Sequence, residues 1–232
     1  MAISVKLLNL GKKAYVEAFE LMKSIELLHI ENDKFASKHS ENTLIVTEHP
    51  PTYTIGTRNK ENLNFNQEKY LKSLGADYVY TDRGGLITFH GPGQIICYPV
   101  IDLKELKISP RDYVYLLEKW MIETCKIFNI YPHRSSDVGV WIDNKKIGAL
   151  GLILLLNILG VHIRNRRITT HGIALNCNVD LCWFDHIVPC GLVDKGTTSI
   201  SNELHINVTC CQVLPVLLNS FESTFNVKLV DV

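Results

Sequence analysis

The sequence predicts an α+β fold of mixed β-sheets with flanking helices. Strand-like and helix-like runs alternate without the regular βαβ order of a doubly wound sheet. Glycine-separated β-rich runs cluster between positions 77 and 102. No Ser/Gly-rich, Pro-rich or charged linker and no internal repeat divides the 232 residues, which predicts one domain over 1–232.

The elements follow in order. Residues 3–9 (ISVKLLN) read as a strand, and 12–29 as a helix in which Tyr15, Phe19, Met22 and Ile25 recur at helical spacing. TLIVTEHPPTYTIG (43–56) is strand-like and broken at Pro50-Pro51. DYVYT (77–81), LITFH (86–90) and QIICYPVID (94–102) are three further strands. Ser109-Pro110 is a helix start, with Ser as N-cap and Pro in the first turn. Tyr113, Leu117, Trp120 and Ile127 mark that helix's inward face. VGVWI (138–142) and KIGAL (146–150) flank a hairpin-type turn at DNK. ITTHGIALN (168–176) is another strand, and a helix runs through about 210–224, its early turns limited by Pro215.

Composition narrows the function. Formal net charge is zero, whereas a nucleic-acid binder usually carries a basic excess. Seven cysteines, an odd number with no preceding secretory signal, favour free thiols in a reducing compartment. No CxxC pair offers a zinc site. The longest apolar run, ALGLILLLNILGV, has 13 residues and is too short to span a bilayer. The first 16 residues hold three lysines and no acid, a pattern that fits a weak mitochondrial signal or simply the first strand and helix.

Three glycine-punctuated segments carry chemistry. DRGGLITFHGPGQ (82–94) lets backbone approach a ligand or turn sharply, but matches neither GxGxxG nor a P-loop. In KKIGALG (145–151) a lysine enters a strand of small residues, and local rules do not separate Lys145 from Lys146. In IVPCGL (187–192) Pro189 and Gly191 bracket Cys190. That setting suits a nucleophile better than Cys97 or Cys125, which sit in apolar periodic runs. Cys210-Cys211 opens a helix, where a thiol pKa can fall, yet nothing catalytic surrounds it.

EHPPTYTIG, DRGGLITFHGPGQIICYPVIDL, VGVWIDNKKIGALG, THGIALN and IVPCGLVDKGTTSIS occur in that order across nearly the whole chain. Together they resemble the octanoyltransferases of lipoate biosynthesis, also called lipoyl(octanoyl) transferase or lipoate-protein ligase B. FDHIVPCGLVDKGTTSIS is most similar to mitochondrial eukaryotic members. The resemblance implies the catalytic-domain fold shared with biotin and lipoate ligases, and a mitochondrial location. It implies transfer of an octanoyl group from octanoyl-acyl carrier protein to a lysine of a lipoyl domain, such as the glycine-cleavage H protein or a 2-oxoacid dehydrogenase subunit. By matching motifs, Cys190 is the acyl carrier and Lys146, the second of the pair, is the catalytic lysine. Arg83, Gly84, Gly85, Leu86, Ile87, Thr88, Phe89 and His90 match the acyl-substrate pocket, with Ala149, Leu150, Gly151, Gly172, Ile173 and Ala174. No cofactor, metal, nucleic acid or membrane span is implied.

The chemistry is consistent with those residues. The incoming acyl group is already a thioester, so ATP is not needed to activate it. A Cys thiolate exchanges it at nearly neutral free energy, and an amine then converts it to an amide. Lys146 serves either as a cation that favours the thiolate or as a base for the attacking amine; the second role requires its pKa to fall roughly three units from about 10.4. A slot of fixed depth can select eight carbons at about 0.8 kcal/mol per buried methylene. His90 and His171 are candidates for polar contacts near the thioester. Three rivals are an ATP-dependent lipoate or biotin ligase, a non-catalytic acyl or lipoyl-domain binder, and a thioesterase, which would want an oriented His partner. The run LILLLNILGV (152–161) exceeds the family pattern. It reads as a lengthened hairpin with Asn157 near its tip, or as an in-frame retained intron or alternative exon boundary.

Overall fold

The computed structural model describes residues 3–35, 41–57, 65–152, 167–188 and 194–231. Its main sheet is mixed. Strand β1 (Ile3–Lys12) pairs in parallel with β2 (Thr43–Glu48) on one side and β12 (Val227–Asp231) on the other. From β2 the sheet continues antiparallel through β6 (Gln94–Val100), β10 (His171–Asn176), β9 (Lys145–Leu152), β8 (Val140–Ile142) and β7 (His133–Arg134). The short β11 (Gly196–Thr197) lies parallel to the start of β9. A separate three-stranded sheet orders β4 (Asp77–Tyr80), β3 (Thr52–Ile55) and β5 (Thr88–His90).

Helices cover both faces of the main sheet. On one face lie α4 (Pro110–Ile127) and α7 (Cys210–Phe225). Trp120, Met121, Leu217 and Phe221 pack there against Ile95, Ile147, Ile173 and Leu175. The Trp120 indole lies 4.8 Å from the Phe221 ring and donates to the Leu217 carbonyl at 2.7 Å. Across the other face runs α1 (Tyr15–Phe35), whose Ala18 and Met22 meet Ile45, Ile96, Tyr98 and Ala174. The small sheet has its own core of Tyr53, Ile55, Phe89 and Phe184, with Leu71 of α2 (Phe65–Ser73) and Phe184 of α5 (Cys182–Asp185) closing it. Two short helices, α3 (Leu103–Leu106) and α6 (Ile200–Leu204), complete the described elements.

Local chemistry explains the boundaries. Ser109 caps α4 by accepting from the Asp112 amide, with Pro110 in the first turn. Tyr113, Leu117 and Trp120 are buried, but Ile127 is 66% exposed. The buried stripe instead continues through Met121, Thr124 and Cys125, and the last turn has rotated Ile127 away from it. Pro215 does not shorten α7, which runs through it from a Thr209–Gln212 capping box. The turn between β8 and β9 is two residues, Asp143-Asn144, with Asp143 at φ +49°. β5 begins at Thr88 and β10 at His171, both later than expected. Ile168 makes only an isolated bridge to Asp102.

Candidate active site

The site is built on the pairing of β9 with β10. Opposed residues are Gly148 and Leu175, Ala149 and Ala174, Leu150 and Ile173, Gly151 and Gly172. Side chains of a strand alternate between faces. Leu150, Ile173 and Leu175 therefore belong to the α4/α7 core, whereas Ala149 and Ala174 turn toward α1 with nothing larger than methyl. Simple alternation would send Lys146, three residues before Ala149, to the opposite face. It does not, because Val140 pairs with Gly148 while Trp141 pairs with Lys146. One residue of β8 spans two of β9, and Ile147 is the extra residue of a β-bulge. Bulges re-aim side chains in this way. Lys146 and Ala149 thus line the same cavity.

The small residues leave a cavity of about 70 Å³ between sheet and α1. Arg83, Gly84, Gly85, Thr88, His90, Ala149, Leu150, Gly151, Gly172, Ile173 and Ala174 line it, with Tyr15, Ile96, Tyr98 and His171. Of the pocket residues matched by motif, Leu86, Ile87 and Phe89 are not in its wall. Ile87 and Phe89 lie on the opposite side of the β5 segment from Thr88 and His90, in the small-sheet core. Leu86 is half-buried. A Cβ on Gly151 would meet only Arg83 Cδ at 3.5 Å, whereas one on Gly172 would lie 2.0 Å from the Cys97 carbonyl oxygen. The first glycine leaves space; the second permits close backbone approach.

Polar groups around this cavity are tied down. Arg83 is buried and donates to the Thr54 hydroxyl and carbonyl and to the Gly84 carbonyl. His171, in the left-handed region at φ +58°, bonds Asp82 at 3.0 Å. Burial holds the His171 pKa down, so a neutral ring donates from Nε2. That hydrogen bond, with Lys23 at 3.2 Å, holds the Asp82 carboxyl down to about 2. Burial also pushes His90 down to about 3, with His49 nearby adding to the shift. Tyr15 stacks on His90 at 5.8 Å, and burial raises its hydroxyl to about 12.

A second cavity of about 30 Å³ shares Thr88 and Ala149 with the first. It holds Lys146, whose Nζ lies 4.6 Å from the Trp141 ring centroid and donates to the Val138 carbonyl at 3.2 Å. Lys145 points away, half-exposed beside Glu203. Lys195 lies over the same indole at 4.6 Å and is ion-paired with Asp137. Neither Trp141 nor Lys195 carried a sequence signal beyond its place in a motif. Tyr15 and Tyr98 read only as an inward helix residue and a strand residue.

Cys190 lies outside the described residues, as does all of the apolar run 152–161 except Leu152. Among the described cysteines, burial pushes Cys97, Cys125 and Cys177 up, Cys125 to about 12. The Asp180 carboxylate raises Cys182. Cys210 packs in the α4/α7 core and lines neither cavity.

The chain matches the lipoyl protein ligase A/B catalytic domain over residues 18–222. It is 44% identical to the mitochondrial octanoyl-[acyl-carrier-protein]:protein N-octanoyltransferase LIPT2 of Danio rerio, over 97% of this chain and 94% of that one. The Homo sapiens protein of the same name is 38% identical over 98% and 96%. Among solved structures, lipoate-protein ligase A bound with ATP superposes with a TM-score of 0.66 at 14% identity, covering 100% of this chain and 89% of its own; that likeness shows the shared fold. By sequence over nearly its whole length, this chain belongs to the lipoyl protein ligase A/B catalytic-domain family, on its octanoyltransferase branch.

Proposed function

We propose that this octanoyltransferase takes an octanoyl group from octanoyl-acyl carrier protein, holds it as a thioester on Cys190 and delivers it to a lysine of a lipoyl-domain protein. The observation that carries this reading is the junction at Thr88 and Ala149, where an apolar slot under α1 meets the cavity of the Lys146 amine. The Cys190 sulfur attacks the donor carbonyl, the carbon–sulfur bond to the carrier breaks, and the carrier's thiol leaves with a proton. The acceptor amine then attacks the enzyme thioester, Cys190 departs as the thiol, and Lys146 passes the amine's proton on. Cys190 is five residues ahead of Lys195, within chain reach of that cavity at roughly 3.5 Å per residue. The buried cysteines, held as thiols, offer no alternative nucleophile at the slot. The mitochondrial label on the Danio rerio and Homo sapiens relatives supports a mitochondrial location. H protein and 2-oxoacid dehydrogenase subunits fit as acceptors because each presents a lysine for lipoylation.

Incubation with octanoyl-acyl carrier protein, without ATP, should add one octanoyl mass that hydroxylamine removes. An adduct that persists in Cys190→Ala contradicts the nucleophile, and a strict ATP requirement contradicts the reaction class.

A further inference from the structure

We propose that Gln94 and Asn176 are positioning residues that fix His90 as its Nδ1–H tautomer, so that an unprotonated Nε2 faces the acyl cavity as a hydrogen-bond acceptor for the attacking nucleophile. The tautomer follows from a chain of buried hydrogen bonds with one possible direction. It ends on the Thr198 carbonyl, which can only accept. Asn176 Nδ2 must therefore donate to it, at 2.9 Å. Asn176 Oδ1 is then the acceptor for Gln94 Nε2, at 2.8 Å. Gln94 Oε1 is left facing His90 Nδ1 at 2.8 Å, and the ring must supply the proton. Reversing Asn176 would set its oxygen against the Thr198 carbonyl, and reversing Gln94 alone would set its oxygen against Asn176 Oδ1, acceptor against acceptor in each case. Gln94, Asn176 and Thr198 are at most 4% exposed, and the three direct contacts of 2.8–2.9 Å leave no room for water between the partners.

The other ring nitrogen has no partner among the described residues. His49 donates from Nδ1 to the Lys13 carbonyl at 2.7 Å, so its Nε2 takes the Tyr98 hydroxyl proton at 2.9 Å. That proton is not available to His90. Burial, with His49, Arg83 and His171 nearby, opposes a second proton on His90. An octanoyl chain carries no N–H or O–H. On the octanoyl-transfer reading, on which this assignment rests, the reacting groups with a hydrogen to donate are the Cys190 thiol and the acceptor lysine's amine. His90 keeps no proton in the cycle; it orients the donor. Thr198 also donates its own N–H to the Lys146 carbonyl at 3.0 Å, so the relay and the lysine strand share one anchoring residue.

The test begins on unaltered, 15N-histidine-labelled protein, by long-range 1H–15N correlation at neutral pH, with His90 assigned by its absence in His90→Gln. The expected spectrum is a neutral ring protonated at Nδ1; an imidazolium or an Nε2–H ring overturns the proposal. Gln94→Met should release the tautomer. His90→Asn keeps a donor toward Gln94 but loses the acceptor, and should slow turnover about ten- to a hundredfold with KM for the octanoyl donor within about twofold. His90→Gln, with an oxygen near the Nε2 position, should recover part of that loss. Single-turnover acylation and deacylation separate the two donors: slowed acylation points to the thiol, slowed deacylation to the amine. Full activity in His90→Asn overturns the acceptor role. Absence of a Cys190 adduct in unaltered protein would remove the octanoyl-transfer reading while leaving the tautomer result standing.

Discussion

The two faces of the β9–β10 pair have opposite fates. Toward α4 and α7, Leu150, Ile173 and Leu175 meet Trp120, Met121 and Phe221, and the space is filled. Toward α1, Ala149, Gly151, Gly172 and Ala174 leave a cavity. Core and slot are therefore cut from the same strands by the alternation of large and small residues. One face holds the sheet together; the other contributes room. The buried histidines also segregate: His49, His90 and His171 ring the α1 side, His29 is buried on α1 itself, and the α4/α7 core contains none among the described residues.

Gly172 is the least tolerant position on the slot face. A Cβ there would overlap the β6 backbone, so Gly172→Val should yield little folded protein; a soluble variant with wild-type Tm would contradict the close approach. Leu175→Ala on the filled face should cost about 2–5 kcal/mol by urea unfolding while leaving the preference among acyl chain lengths unchanged. A changed preference would mean the faces are not independent.

Acid should act through the slot face. The folded-state pKa values of His49, His90 and His171 are depressed by burial, that of His90 to about 3. Below the unfolded value of about 6.5 the unfolded chain binds more protons, so stability present above that pH is lost as pH falls toward the folded values, by up to about 1.4 kcal/mol per pH unit for each group. Urea midpoints at pH 7 and 5 measure this, and His90→Gln should flatten the slope; equal slopes would place the titration elsewhere. Gly151→Val should have the smallest effect on stability, under about 1 kcal/mol, because its Cβ meets only Arg83. It should displace about two methylenes of an octanoyl chain, at about 0.8 kcal/mol each, and so lower kcat/KM for octanoyl roughly tenfold while sparing hexanoyl. Parallel losses for both would remove Gly151 from the wall.

Much of this architecture is legible in the order of the amino acids. The glycine-bounded runs form strands, Ser109-Pro110 opens α4, and the ordered motifs carry the family. What escapes the sequence has identifiable physical causes. Nothing local marks Ile147 as a bulge, since its identity suits either face. Phe89 and Ile87 share a motif with Thr88 and His90 but not a side of the segment, so a continuous match overstates the pocket. Tyr98 and Tyr15 reach the cavity through the stacking of α1 on β6, a tertiary event. The parallel pairing of β12 with β1 joins the chain's far ends, where VKLVD alone names no partner.

The β-bulge turns the Lys146 amine into the cavity beside the slot, where the second amine, Lys195, is ion-paired with Asp137, and sends Lys145 toward solvent. Single-turnover octanoyl transfer to a lipoyl domain by Lys145→Ala and Lys146→Ala, each matched for folding by circular dichroism, separates the two lysines. Lys146→Ala should fall about a hundredfold or more, in the range of a lost proton-transfer group, and Lys145→Ala should change within about twofold. Equal losses in the two variants, or a larger loss in Lys145→Ala, would contradict that placement.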